Sequence, residues 1–140
     1  MENIITPSPI NGELNESASP IIDRFGRTFN YLRLALNEQC NLRCIYCMPE
    51  EGIEFRPEDK LLSTEEIFRL IELASQMGVS KIRLTGGEPL LRKDLVPIIQ
   101  FANSLDGIDS IHVTTNGLLL SKYFTISGKK FAFSQDPIVL

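Results

Sequence analysis

Three short strand patterns, separated by two amphipathic helical patterns, constrain the fold of this chain more than any other feature. The strand patterns span 31–37, 81–85 and 110–114, and apolar residues in them alternate with polar ones or run on continuously. The order strand–helix–strand–helix–strand, with short connections, predicts parallel strands joined by right-handed crossovers. We therefore expect an α/β fold.

Both helical patterns have recognisable start signals. Ser63 and Glu66 form a capping box, in which each side chain can satisfy the backbone N–H of the other residue, and Gly78 is a typical C-terminal stop. The second helix is expected to begin after Asp94 as its cap, with Pro97 in the first turn, where a missing N–H costs little. The apolar positions at helical spacing are Ile67, Leu70, Ile71 and Ala74 in the first helix, and Ile98, Ile99, Phe101 and Ala102 in the second.

The unusual residues of the chain follow the ends of the predicted strands. A loop at about 38–62 with all the cysteines follows the first strand, Gly-Gly-Glu-Pro at 86–89 follows the second, and Thr-Asn-Gly at 115–117 follows the third. Parallel α/β folds bind their ligands at the carboxyl ends of the strands. We expect the functional groups to meet at that edge.

Charge and composition exclude several classes of protein. The 140 residues include 14 Lys and Arg against 18 Asp and Glu, a net charge of −4, so the chain lacks the positive charge that nucleic-acid phosphates require. No apolar run approaches the roughly 20 residues of a membrane span. Three cysteines fit a secreted disulfide framework poorly, because one thiol would be left over. We expect a cytoplasmic protein without nucleic-acid or membrane partners.

The two ends differ from the centre. Residues 1–22 contain no Lys, Arg or aromatic residue and several prolines, which predicts a disordered leader; neither a signal peptide nor a transit peptide matches it. Residues 121–140 show neither a helical stripe nor a clear hairpin. They are interpreted either as an edge strand with a tail, or as a divergent tail to a core that spans 23–120.

All three cysteines lie within eight residues, with the spacing C-x3-C-x2-C at Cys40, Cys44 and Cys47. A loop this tight can direct three thiolates at one centre, and a four-iron cluster held by three thiolates keeps one iron open for an outside ligand. A structural zinc site normally has four protein ligands, and the single histidine, His112, lies in a predicted strand far along the chain. Zinc binding and unligated buried cysteines stay open as alternatives. His112 is left unassigned, with packing in the strand as its expected role.

These motifs resemble a known family. The cysteine spacing, with an aromatic residue before the last cysteine, resembles the radical S-adenosylmethionine (SAM) superfamily, and Gly86-Gly87-Glu88-Pro89 resembles its Gly-Gly-Glu motif. The segments CNLRCIYCMPEEG, KIRLTGGEPLLR and VTTNG are similar to the GTP 3′,8-cyclase family, which performs the first step of molybdenum cofactor (molybdopterin) synthesis. The similarity extends over about 23–120. It implies the N-terminal part of a partial (β/α)6 barrel with parallel strands.

The resemblance also implies cofactors, a substrate and residue roles. The cofactors are a [4Fe-4S] cluster and SAM, and the substrate is GTP, converted to (8S)-3′,8-cyclo-7,8-dihydroguanosine 5′-triphosphate with electrons from a reductant protein. The expected cluster ligands are Cys40, Cys44 and Cys47. The expected SAM contacts are Tyr46 beside the adenosyl group, Gly87 for a close backbone approach, and Glu88 as the acceptor for the ammonium group. The expected GTP contacts are Arg33, Arg83 and Thr114.

The chain leaves the family pattern at about Ser121. The family continues with further strands, a SAM-binding serine and a second cysteine trio, so the resemblance implies a truncated barrel of doubtful intrinsic activity. Two alternatives stay open: another radical SAM reaction, and a non-catalytic fragment that binds a cluster.

Overall fold

A four-stranded parallel sheet forms the centre of the chain. The computed structural model describes residues 19–47, 49, 51–123 and 131–135, with only the backbone described at 58 and 131–135. The strands, which lie across the sheet in chain order with every neighbouring pair parallel, are β1 (Tyr31–Ala35), β2 (Lys81–Thr85), β3 (Ser110–Thr115) and β4 (Phe131–Gln135). The predicted α/β class is confirmed, and the open sheet with helices agrees with part of a (β/α)6 barrel.

The strand boundaries follow the sequence pattern closely. β2 spans the predicted residues, and β3 is one residue longer than expected. β1 ends at Ala35 rather than at residue 37, although the backbone N–H of Leu36 still donates to the carbonyl of Thr85 at 2.8 Å. The polar Asn37 therefore lies in the loop that leaves the sheet.

Helix α1 (Thr64–Gln76) begins and ends where the sequence predicts. The backbone N–H of Glu66 donates to the Ser63 hydroxyl at 3.2 Å, and the backbone N–H of Ser63 donates to the Glu66 carboxylate at 2.8 Å. Gly78 has a φ of 86°, in the left-handed region that glycine adopts most readily after a helix. The capping box and the glycine stop are confirmed.

Helix α2 (Leu95–Ser104) follows Asp94, but this residue does not act as the expected side-chain cap. Its carboxylate accepts hydrogen bonds from Arg92 at 2.6 and 3.0 Å and from the Thr64 hydroxyl at 2.5 Å. The same guanidinium donates to the carbonyls of Leu36 and Leu62, both at 2.6 Å. A charged donor binds a carboxylate more strongly than a backbone N–H does, so Asp94 connects the starts of both helices and does not cap its own.

Both helices pack on one face of the sheet. The rings of Phe68 in α1 and Phe101 in α2 stack with centroids 4.4 Å apart and an interplanar angle of 23°. The buried strand residues that face these helices alternate along the chain: Leu34 in β1, Ile82 and Leu84 in β2, and Ile111 and Val113 in β3. The intervening strand residues are exposed or half-buried on the opposite side, which we call the open face.

The N-terminal boundary of the fold lies earlier than the sequence indicates. Ile22 pairs with Thr28 in an antiparallel bridge, and the backbone N–H of Phe29 donates to the carbonyl of Ile21 at 2.8 Å. The expected leader at 1–22 thus includes two residues that pair in a short hairpin. Its first 18 residues lie outside the described part of the chain.

The segment after Leu120 contributes to the sheet. A short 3-10 turn spans Leu120–Tyr123, and the Tyr123 hydroxyl donates to the carbonyl of Leu90 at 2.7 Å. β4 then pairs with β3 over five residues, from Ile111 opposite Phe131 to Thr115 opposite Gln135. The edge strand that the sequence left open for 121–140 is present at 131–135, while 124–130 and 136–140 lie outside the described residues.

None of the helices in the described part of the chain combines the length and the apolar character that crossing a bilayer would require.

The carboxyl group of Asp94 gives the fold a testable acid sensitivity. Burial alone would raise its pKa, but the hydrogen bonds from Arg92 and Thr64 outweigh burial and hold the pKa below its ordinary value. The unfolded carboxyl therefore takes up a proton at a higher pH than the folded one. Stability from this group is present above the unfolded pKa of about 3.9 and is lost as pH falls through the lower folded value.

We expect Asp94→Asn to flatten the decline in unfolding free energy between about pH 5 and pH 2. Asp106→Asn, at an exposed position after α2, is the matched control and should keep the wild-type slope. Asp23 contributes part of the slope that remains, because its backbone hydrogen bond from Arg27 also lowers its pKa. Urea denaturation at a series of pH values measures the effect, and equal slopes for all three proteins would contradict it.

Candidate functional site

The loops that follow β1, β2 and β3 meet at the carboxyl edge of the sheet. Backbone hydrogen bonds join the first two: the N–H of Gly87 donates to the carbonyl of Asn37 at 2.9 Å, and the N–H of Glu88 donates to the carbonyl of Gln39 at 2.7 Å. The Asn37 side chain donates in turn to the carbonyl of Glu88 at 3.1 Å. The start of the cysteine loop is therefore held directly against the Gly-Gly-Glu-Pro segment.

The two glycines are required by this close approach. Gly86 has a φ of 149°, which side-chain-bearing residues rarely adopt, and a Cβ there would lie 2.5 Å from the Asn37 side-chain oxygen. A Cβ on Gly87 would collide with the carbonyl oxygens of Gln39 and Glu38. Gly87 was expected to contact SAM. In the structure, the backbone of the cysteine loop lies where a Cβ on this glycine would be.

Glu88 is a buried carboxylate at the centre of this edge, with 1% of its surface exposed. One carboxylate oxygen accepts from the backbone N–H of Leu90 at 3.0 Å and from the Thr115 hydroxyl at 2.7 Å, and the other accepts from the backbone N–H of Asn116 at 2.8 Å. A buried charge is tolerated only with such partners. Three protein donors thus occupy the group that was expected to accept from an ammonium ligand.

Asn116 extends this contact to the cysteine loop. Its side-chain amide donates to the side-chain oxygen of Asn41 at 2.8 Å, and its own side-chain oxygen accepts from the backbone N–H of Leu118 at 3.1 Å. Together, Glu88, Asn116 and Asn41 connect the three strand-end loops, and we call these residues the loop bridge. Sequence reasoning missed Asn41 and Asn116 as a pair, because 75 residues separate them.

The three cysteines all lie on the first loop as free thiols, with Cys40 and Cys44 half-buried and Cys47 exposed. A turn closes between the last two, since the backbone N–H of Cys47 donates to the carbonyl of Cys44 at 2.9 Å. The structure does not gather the three sulfurs into one centre: within its described part, no three His, Cys, Asp or Glu side chains form a group that could hold a metal ion. The donor set itself, three accessible thiols on one short loop, fits an iron–sulfur cluster held by three thiolates.

Arg43 stabilises the first half of this loop and was missed by sequence reasoning. Its guanidinium donates to the carbonyls of Cys40 and Leu42, both at 3.0 Å, and lies 5.9 Å from the centre of the Phe55 ring. The second half of the loop faces solvent, with Ile45 at 99% and Tyr46 at 67% exposure. Tyr46, an expected SAM contact, is therefore accessible to a ligand.

The expected GTP contacts lie on the open face of the sheet. Arg83 donates to the Thr114 hydroxyl at 3.0 Å and to the Tyr31 hydroxyl at 2.7 Å. Arg33 is the register partner of Arg83 on the neighbouring strand, and its side chain is exposed. The structure thus brings Arg83 and Thr114 into contact and places Arg33 beside them. Tyr31, which fixes the orientation of the Arg83 guanidinium, was not foreseen.

The loop bridge yields a prediction about stability. Glu88→Gln replaces a carboxylate oxygen with an amide N–H that faces protein donors, so we expect a loss of about 2 kcal/mol in unfolding free energy. Glu65→Gln, at an exposed position in the first turn of α1, is the matched control and should change stability far less. Urea denaturation at pH 7 measures both, and equal losses would contradict a special role for the buried carboxylate.

Comparisons with known proteins find relatives of similar sequence. The chain is 52% identical over 102 residues to the GTP 3′,8-cyclase of Lactiplantibacillus plantarum, a match that covers 73% of this chain and 31% of the relative. It is also 52% identical over 108 residues to the mitochondrial GTP 3′,8-cyclase of Arabidopsis thaliana, covering 77% of this chain and 28% of that protein. The chain therefore spans about a third of the length of these relatives.

A solved structure and a family model address the fold. The crystal structure of BtrN in complex with AdoMet and 2-DOIA superimposes with a TM-score of 0.55 and 19% sequence identity, covering 78% of this chain and 57% of BtrN. The family model of the radical SAM superfamily matches residues 35–129, which include the cysteine loop, Gly-Gly-Glu-Pro and Thr-Asn-Gly. Since this match extends over more than half of the sequence, the chain belongs to the radical SAM superfamily.

Proposed function

We propose that this chain supplies the N-terminal part of a GTP 3′,8-cyclase, which converts GTP to (8S)-3′,8-cyclo-7,8-dihydroguanosine 5′-triphosphate for molybdenum cofactor synthesis. The observation that carries the proposal is the identity of about one residue in two to proteins named GTP 3′,8-cyclase, over 102 and 108 residues of this chain. Because the matches cover only 31% and 28% of those relatives, we assign the complete cyclisation to a protein with the additional segments.

The cofactor residues are assigned within this proposal. Cys40, Cys44 and Cys47 would hold a [4Fe-4S] cluster, and its open iron would bind SAM. When bound, the cluster and SAM supply the electron and the radical that start the reaction on the substrate. The chain contributes the position of the loop: Arg43 and Asn41 hold its first half, and the loop bridge fixes it against β2 and β3.

The SAM contacts fall at the same edge. Tyr46 is accessible for contact with the adenosyl group, and Gly87 lies beside the cysteine loop. Glu88 keeps its expected role toward the SAM ammonium as a proposal, with one difference from the sequence analysis. Its three protein donors make its first task structural, so any contribution to SAM binding is added to that task.

Arg33, Arg83 and Thr114 would bind GTP. Guanidinium groups present several donors in a fixed plane, which suits the oxygens of a triphosphate. Arg83 is held in place by Tyr31 and contacts Thr114, so it loses little conformational freedom when a ligand arrives. An arginine pair on the open face, with apolar strand neighbours turned to the helices, supports this assignment.

The remaining partners follow from the chemistry. A reductant protein would deliver electrons to the cluster, and we propose the cytoplasm as the location, although the name of the Arabidopsis relative places that protein in mitochondria. A second candidate is a non-catalytic, cluster-binding chain. The three free thiols on one short loop favour it, because they suit a cluster held by three thiolates without requiring any catalytic residue.

Cluster binding can be tested on the chain itself. After anaerobic reconstitution we expect about four iron atoms per chain and, on reduction, an EPR signal that changes when SAM is added. Cys47→Ala should bind less than about a tenth of that iron, because three thiolates are needed. Ile45→Ala, an exposed position in the same loop, is the matched control and should reconstitute normally.

The outcomes separate the candidates. A signal that is indifferent to SAM would favour the non-catalytic reading, and iron that stays bound in Cys47→Ala would contradict the ligand assignment.

GTP binding tests the assignment on the open face. Arg83→Ala should weaken GTP affinity at least about tenfold, because it removes charged hydrogen bonds to the triphosphate. Lys81→Ala is the matched control: this lysine lies on the same strand and face, two residues further from the carboxyl edge. Isothermal titration calorimetry measures both variants, and an unchanged affinity in Arg83→Ala would contradict the proposal.

A further inference from the structure

His112 occupies a position on the open face that the proposed function leaves unexplained. It is the single histidine of the chain, and the register places it opposite Arg83, which in turn lies opposite Arg33. Its chain neighbours Ile111 and Val113 are fully buried toward the helices, so the imidazole lies on the opposite face with the two guanidinium groups.

The imidazole is half-buried and has no hydrogen bond or ion pair with any residue that the structure describes. A histidine packed in a strand, as the sequence predicts at this position, usually finds a partner for at least one ring nitrogen. Among the described residues, neither nitrogen has such a partner. The positive charges of Arg33 and Arg83 in the same row favour an anion as the ligand.

The row Arg33–Arg83–His112 has the dimensions of a polyphosphate site. Neighbouring strands lie about 4.8 Å apart, so three adjacent side chains in register span about 10 Å. We propose that His112 is a third phosphate contact on the open face, in one row with Arg83 and Arg33, and that it binds the triphosphate of the nucleotide. The identity of this ligand rests on the proposed function.

The charged groups around His112 favour an anion as its ligand. The charged or titratable groups on the same face are Tyr31 and Arg33 on β1 and Lys81 and Arg83 on β2, and β3 adds only Ser110 and Thr114. The register partner on β4 is Ala132. No described carboxylate lies on this face of the three strands, so its positive charges have no acidic partner there and favour a bound anion.

A phosphate that contacts the imidazole must change the surroundings of its ring protons. A histidine that only packs in the strand would show no such change.

The test uses the full chain and inorganic tripolyphosphate as the probe. Because the chain has one histidine, its ring protons give one set of NMR signals. We expect these signals to move saturably as tripolyphosphate is added. His112→Gln should weaken tripolyphosphate binding about fivefold at pH 6. Ser110→Ala, on the same strand and face, is the matched control and should keep the affinity.

Each outcome decides the proposal. Ring signals that stay in place while calorimetry detects tripolyphosphate binding would overturn it, as would an unchanged affinity in His112→Gln or no binding by the wild type. A parallel titration with GTP separates this inference from the proposed function. If GTP binds without moving the ring signals, the phosphate contact is wrong and the GTP assignment stands. If tripolyphosphate moves the signals and GTP binds no better than ATP, the contact stands and the cyclase assignment is weakened.

Discussion

The buried carboxylate of Glu88 is the interaction on which the carboxyl edge of the sheet depends. Removing a charge from water costs several kcal/mol unless hydrogen bonds replace the lost hydration, and here the replacement comes from Leu90, Thr115 and Asn116. Because two of these donors, Thr115 and Asn116, are the last residue of β3 and the first residue of the loop after it, the charge can be buried only when the end of β3 and the loop after β2 lie together. When this edge of the sheet folds, the loops that bear the candidate site residues are therefore brought together.

The two faces of the sheet have opposite physical character, and that contrast determines where function can reside. Parallel sheets usually have both faces covered by apolar packing. In this chain the helix face is apolar, while the open face bears Arg33, Arg83 and His112 in one row. Covering cationic side chains with apolar groups costs free energy, whereas binding an anion to them is favourable. The same sequence alternation that builds the core thus leaves a surface suited to phosphate.

The sequence predicted local structure well and long-range contacts poorly, for a physical reason. The bounds of β2, the capping box at Ser63 and the stop at Gly78 depend on residues a few positions apart, so the pattern contains the information. Whether the Asp94 carboxylate caps its own helix or binds Arg92 depends on where the start of α1 and the end of β1 lie in the folded chain. The pairing of Asn41 with Asn116 requires the whole sheet to have formed. Residue spacing predicted the cysteine cluster and the position of the candidate site at the carboxyl ends of the strands. It could not predict the contacts of the loop bridge.

The distribution of hydrogen bonds along the cysteine loop suggests how a cluster would be assembled. The first half is fixed from two sides, by the backbone contacts at Asn37 and Gln39 and by the side-chain contacts of Asn41 and Arg43. Between 45 and 47, the described structure has only the hydrogen bond from the Cys47 backbone to the Cys44 carbonyl. Cys40 is therefore held in a loop segment fixed from two sides, while the described hydrogen bonds hold Cys44 and Cys47 through one backbone turn. Metal binding supplies ordering free energy where a site is not preformed, so the cost of gathering the three thiolates falls on the second half of the loop, and the first half sets the place at which they meet.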